Sequence, residues 1–144
     1  MQVKIKRIDT SLPLPEYQTS GAVAFDLYSR IDMTIAPKSL GLIPTNIIVE
    51  IPNGYMLMLA SRSSTPKKKG LLVPHGIGII DQDYCGEKDE LLLQVYNFTD
   101  QEVPITKGER MGQGVFVRVD QGQWEEVTEM KDESRGGFGT TGQN

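Results

Sequence analysis

The sequence predicts an all-β fold of the sandwich or barrel class, and three observations carry that expectation. Its apolar residues fall in short segments of strand length, the first of them alternating with charged residues. Fifteen glycines and eight prolines separate those segments, as many short strands joined by turns require. No internal repeat and no interdomain linker interrupts the series, so the 144 residues read as one domain, long enough for a real hydrophobic core.

Residues 3–8, VKIKRI, alternate apolar and basic side chains as a half-buried strand does. Further strands are expected at residues 24–28, 47–51, 55–60, 77–80, 91–97 and 115–119. Between residues 51 and 55, Asn53-Gly54 fits a tight hairpin turn. One short helix is expected in STPKKKG, with Thr65 as N-cap, Pro66 at the first helical position and Gly70 ending it. Its three lysines fall near the C-terminal turn, where the macrodipole favours positive charge. Most of them read as a solvated basic turn rather than as ligand contacts.

Charged residues make up 24% and hydrophobic residues 38%, as in an ordinary soluble globular protein. A net charge of −4 argues against general affinity for nucleic acid or anionic membranes. One cysteine forms no intrachain disulfide, and one histidine beside one cysteine makes a poor zinc site. No run approaches membrane-spanning length and no apolar segment follows a basic start. The expectation is a cytoplasmic protein with neither a nucleic-acid nor a membrane partner.

Two stretches carry chemistry. In GIIDQDYCGE, residues 78–87, Asp81, Asp83 and Tyr84 follow directly on an apolar run. The aspartates either shape a rigid turn at a strand end or place a carboxylate there for reaction. The last stretch, KDESRGGFGTTGQN, has no apolar periodicity and is expected to be mobile alone. Its arginine, phenylalanine, glycines and threonines suit closure over a phosphorylated ligand, while composition alone favours a plain disordered terminus.

Taken together, GAVAFDLYS, ASRSSTPKKKG, GIGIIDQDYCGE, GERMGQGVF and SRGGFGTTG resemble, in order and rough spacing, the five motifs of trimeric deoxyuridine triphosphate nucleotidohydrolases (dUTPases). The resemblance runs from about Leu12 to the C-terminus. It implies a jelly-roll-like β barrel over residues 1–130, and a glycine-rich tail, residues 131–144, closing over the active site. It also implies a homotrimer with active sites between subunits, and Mg²⁺-assisted hydrolysis of dUTP to dUMP and pyrophosphate.

Residue by residue, the resemblance makes Asp81 the carboxylate that activates water for attack at the α-phosphorus, with Gln113 near that phosphate and the water. Tyr84 packs against the deoxyribose, where a 2′-hydroxyl finds neither room nor partner. Main-chain groups around Gly78, Ile79 and Ile80 read uracil, and His75 stands where many members place an asparagine near the base. Arg62 and Ser63 match the phosphate-binding arginine and serine; Ser64 and Ser61 replace a commoner glycine and proline. Asp26 supports the metal through water. In the tail, Phe138 stacks on uracil, Gly139, Thr140 and Thr141 donate to the β- and γ-phosphates, and Arg135 lies closer to the phenylalanine than in many members. Arg110 reads as structural, in a subunit-interface ion pair.

Two competing readings share this pattern. The dCTP deaminases are similar in RSS, ID and QVYN, but carry a glutamate base where this chain has Gln94, and a neutral amide cannot shuttle that proton. A non-catalytic deoxynucleotide-binding relative would have no need of Asp81 as a base.

Overall fold

The computed structural model describes residues 1–137, so the expected contacts of Phe138, Gly139, Thr140 and Thr141 lie outside the described residues. Its strands are β1 (Lys4–Arg7), β2 (Phe25–Tyr28), β3 (Met33–Ile35), β4 (Leu40–Pro44), β5 (Ile47–Glu50) and β6 (Tyr55–Ser61). After the helix α1 (Thr65–Lys69) come β7 (Leu71–Leu72), β8 (Gly78–Ile80), β9 (Leu92–Asn97), β10 (Val103–Ile105) and β11 (Arg110–Arg118). They pair antiparallel into four sheets, ordered β1-β5, β10-β3, β2-β11-β6-β8 and β4-β9-β7. Among the described residues these ladders do not close into one continuous barrel. The sheets wrap a shared core in a jelly-roll-like arrangement, with Leu27, Ile43, Leu57, Leu71, Leu93 and Val95 buried inside. Each such side chain contributes about 1.5–3 kcal/mol of burial.

Every expected strand is present, with differences at the ends, and four more appear. β3, β7 and β10 span only two or three residues, too few for alternation to declare itself. β4 holds Gly41 and ends at Pro44, and β10 centres on Pro104; both read as breaks in the sequence. Proline is accommodated in β10 because that strand is an edge, paired only with β3. β11 begins at Arg110, well before the expected residue 115, because Gly112 and Gly114 pair within the ladder instead of ending it. At Gly114 a side chain has no room: a Cβ there would sit 2.5 Å from Phe25 Cζ.

Three local expectations change. Asn53-Gly54 does turn the chain, with Gly54 at φ 76°, but β5 and β6 belong to different sheets and form no hairpin. Ser64, not Thr65, is the N-cap of α1; its side chain makes no capping bond, and Thr65 is buried as the first helical residue. Ile5 of β1 is paired with buried Val49 yet stays exposed rather than half-buried, at an open apolar groove beside Phe116. The helix otherwise ends as expected: Gly70 adopts φ 66°, its N–H bonds to Pro66 O, and a Cβ there would collide with Thr99 Cγ2. Lys67 and Lys68 are exposed, whereas Lys69 pairs with Glu109 at 2.7 Å.

Asn97, fully buried at the end of β9, ties three segments together. Its Nδ2 donates to the carbonyls of Ile35 (3.1 Å), Ala36 (3.1 Å) and Gln101 (2.8 Å), and its Oδ1 accepts from Thr99 N and Oγ1. Asn97→Leu leaves those buried groups unpaired and is expected to cost about 2–4 kcal/mol. Urea unfolding measures this as a lower midpoint at unchanged slope. A loss below about 1 kcal/mol would mean that the freed carbonyls find other donors.

Candidate active site

The sheet β2-β11-β6-β8 carries most of the predicted site. Leu27, Leu57, Leu59 and Phe116 alternate onto its core face. Residues one step away, Asp26, Gln113, Met56, Met58, Val115 and Ile79, share the opposite face. Asp26 and Gln113 are direct partners across β2 and β11, with Ala60 next to them on β6.

At this end of the sheet a buried carboxylate lies between two guanidinium groups. Asp26 Oδ1 is 3.1 Å from Arg62 Nε, and its Oδ2 is 3.2 Å from Arg110 Nη1. A β-bulge aims Arg110. Gln113 pairs with Asp26 and Gly112 with Leu27, so an unbroken ladder would set Arg110 opposite Ser29. The register instead shifts between Arg110 and Gly112, and Arg110 pairs with Tyr28. Because side chains alternate, this turns Arg110 onto the face that Asp26 and Tyr28 share. Burial pushes the Tyr28 phenol up, with the charges of Asp26 and Glu16 adding to it, so the group stays neutral beside the cluster. Gln113 Nε2 donates to Ser61 O at 2.9 Å. Ser63 is exposed and Ser64 half-buried, both between Arg62 and α1.

A second group forms at the end of β8. Asp81 directly follows Ile80 and is exposed, with no hydrogen bond or ion pair to its carboxylate among the described residues. It opens on a cleft of about 750 Å³ lined by Tyr55, Met56, Ile79, Asp83, Asp120 and Gln121 among others. The turn after it is pinned by Gln82 Nε2 donating to Tyr55 O (3.0 Å), by Tyr84 N donating to Asp81 O (3.3 Å) and by Gly86 N donating to Asp89 Oδ2 (2.7 Å). Gln82 and Asp89, rather than Asp83, supply the side chains that shape it. Tyr84, 38% exposed, donates its hydroxyl to Glu90 O at 3.3 Å, which leaves its ring at the surface. Glu90 is itself fixed by a two-pronged pair with Arg30, both contacts 2.8 Å, and by Asn46 N at 2.8 Å. The Glu90 carboxylate raises the Arg30 pKa further. His75 is exposed in the turn before β8, its Nε2 lying near the α-carbon face of Gly78.

The two groups do not meet within one chain. Leu57 pairs with Ile80, which sets Asp81 level with Met56, six residues before Arg62, which follows the last residue of β6. At about 3.3 Å per residue, Asp81 and the Asp26–Arg62–Arg110 cluster stand about 20 Å apart. Arg135 is exposed and bonded to neither group. Two residues of this region were not assigned to the substrate site by the sequence: Arg110, expected in a structural ion pair and here paired with Asp26, and Glu90. GER, at residues 108–110, marks Arg110 in the sequence, but the bulge that aims it leaves no local signal.

A family profile described as dUTPase matches residues 10–142. A deoxyuridine 5'-triphosphate nucleotidohydrolase of Nautilia profundicola is 40% identical over 144 residues, covering 99% of this chain and 99% of that protein. The enzyme of the same description from Lactococcus lactis is 37% identical, covering 98% and 95% respectively. Among solved structures, the dUTPase of Streptococcus mutans superposes with a TM-score of 0.77 at 32% identity, over 83% of this chain and 98% of that one. With the profile and the relatives spanning nearly its whole length, this chain belongs to the dUTPase family.

Proposed function

We propose that the protein is a dUTP diphosphatase, hydrolysing dUTP to dUMP and pyrophosphate. The observation that carries this reading is Asp81: a carboxylate exposed and without a partner among the described residues, fixed at a strand end beside an open cleft, in a chain of this family. Asp81 takes a proton from a water as its oxygen attacks the α-phosphorus, and the bond from that phosphorus to the bridging oxygen breaks, so that pyrophosphate leaves. Gln113 orients water and α-phosphate, Arg62 and Ser63 hold the phosphates, and the main chain of Gly78, Ile79 and Ile80 reads uracil with His75 beside it. Residues 131–144 close over the bound nucleotide, bringing Arg135, Phe138, Gly139, Thr140 and Thr141 to it.

No cluster of three His, Cys, Asp or Glu that could cage a metal exists among the described residues. Both Asp26 oxygens face guanidinium groups. This donor set fits Mg²⁺ arriving on the triphosphate with its own water shell, Asp26 accepting from that shell, and not a cation held by protein alone. Bound there, Mg²⁺ neutralises charge on the triphosphate.

The 20 Å gap and the outer face of the sheet both favour a homotrimer with shared sites. Met56, Met58, Val115 and Val117 are half-buried on that face and Ile79 is 59% exposed, forming an apolar stripe between the two site groups. A second copy covering the stripe sets its own Asp81 against the first copy's Arg62 and Gln113. No described helix is long and apolar enough to cross a membrane. We place the enzyme in the cytoplasm, where deoxynucleotides are its substrates.

Incubation with dUTP, dCTP, dTTP and UTP plus Mg²⁺, followed by product identification, tests the assignment. Conversion of dUTP alone to dUMP and pyrophosphate is expected; dCTP turned to dUTP, or single phosphate from dUTP, overturns it. Gln94, a neutral amide on β9, already leaves a deaminase without its base. Tyr84 offers a sharper check on the sugar. Tyr84→Ala is expected to narrow the kcat/KM preference for dUTP over UTP by about tenfold or more, since the ring no longer excludes a 2′-hydroxyl. An unchanged ratio would make the tyrosine a purely structural residue.

A further inference from the structure

We infer that Asp26 and Arg62 form an exchangeable latch that makes nucleotide and magnesium bind cooperatively, with Arg110 as the positioning residue that holds Asp26 in both states. This rests on the reading above, in which Arg62 takes a phosphate and Mg²⁺ arrives with the nucleotide. The Asp26 side chain is 8% exposed, and a carboxylate that buried requires counter-charge. In the ligand-free chain it has two counterions, on separate oxygens. They are not equivalent. Arg110 is set by the bulge inside β11 and takes its position from the ladder with Tyr28. Arg62 lies just past the last residue of β6, outside any ladder, and among the described residues its Nη1 makes only a long contact of 3.5 Å to Arg110 O.

A phosphate oxygen competes with Asp26 Oδ1 for the Arg62 guanidinium. When Arg62 leaves, Asp26 keeps Arg110 but loses half of its compensation. The Asp26 carboxylate would then accept from the water shell of nucleotide-borne Mg²⁺, whose charge would restore that compensation. Nucleotide therefore creates the vacancy that favours magnesium, and by linkage magnesium tightens nucleotide by the same factor. Arg110 limits the cost when no metal is present.

Calorimetric titration of the full chain with the non-hydrolysable α,β-imido analogue of dUTP, in Mg²⁺ and in EDTA, reads the coupling as the ratio of the two affinities. The wild-type ratio is expected to be about tenfold or more. Asp26→Asn removes the competitor for Arg62, so metal-free affinity should rise while the ratio falls towards one. Arg110→Gln leaves Arg62 as the only counterion, so metal-free affinity should fall and the ratio should grow. A merely structural Asp26 would lose affinity under both conditions, and that result, or a wild-type ratio in either variant, overturns the latch.

The unmodified protein supplies a check that needs no buried substitution. In spectra of ¹⁵N-arginine Nε–Hε groups, with Arg62 assigned through Arg62→Lys, metal-free analogue should move the Arg62 signal much more than that of Arg110. An unmoved Arg62 signal with analogue bound sinks the proposal. Absence of analogue binding to wild-type protein even in Mg²⁺ would overturn the functional reading and the latch together, whereas binding with unaltered ratios overturns the latch alone.

Discussion

Asp81→Asn is expected to lower dUTP hydrolysis by about 10²–10⁴-fold, the loss typical of removing a general base. At the lower end this is about 2.7 kcal/mol of barrier and at the upper end about 5.5 kcal/mol. The substitution preserves size and shape, and among the described residues the Asp81 carboxylate makes no ion pair or hydrogen bond. Stability should therefore be unaffected, and binding of the imido analogue should persist. Single-turnover rates measured beside analogue affinity separate these effects. Turnover within about threefold of wild type would mean that another group activates the water, and Asp83 in the same cleft would be the first to test.

Mixed oligomers should recover activity that neither parent has. Asp81→Asn and Arg62→Ala are each expected to be nearly inactive, because in the proposed mechanism one removes the base and the other a phosphate clamp. Within one chain these positions stand about 20 Å apart along β6, too far to serve one α-phosphate. If sites form between subunits, a site drawing Asp81 from an Arg62→Ala chain and Arg62 from an Asp81→Asn chain is intact. Random co-refolding at equal amounts makes about a quarter of all sites of that kind, so about a quarter of wild-type activity should return. Native mass spectrometry verifies that the mixed species are trimers. Verified mixed trimers that stay inactive would show that each site is built from one chain.

Local sequence was sufficient for much of this protein. Pro66 and Gly70 bracket a helix because each fixes its own φ or tolerates a left-handed one, and both effects need no distant partner. Asp81 could be placed at a strand end because an apolar run stops directly before it. The segments that became β2, β6, β9 and β11 were legible from their apolar content alone. What tertiary structure decided depends on pairing between distant residues. β3, β7 and β10 exist only because a neighbouring ladder fixes them, since two or three residues have too little propensity to order themselves. Asn53-Gly54 turns the chain whether or not its flanking strands pair, and the choice of partners sent β5 to β1 and β6 to β11. The bulge that sets Arg110 on Asp26 is a one-residue offset between strands 84 positions apart in sequence. Such an offset leaves composition and periodicity untouched, so no reading of either strand by itself contains it. The same holds for the separation of Asp81 from Arg62, which follows from the antiparallel register of β6 and β8.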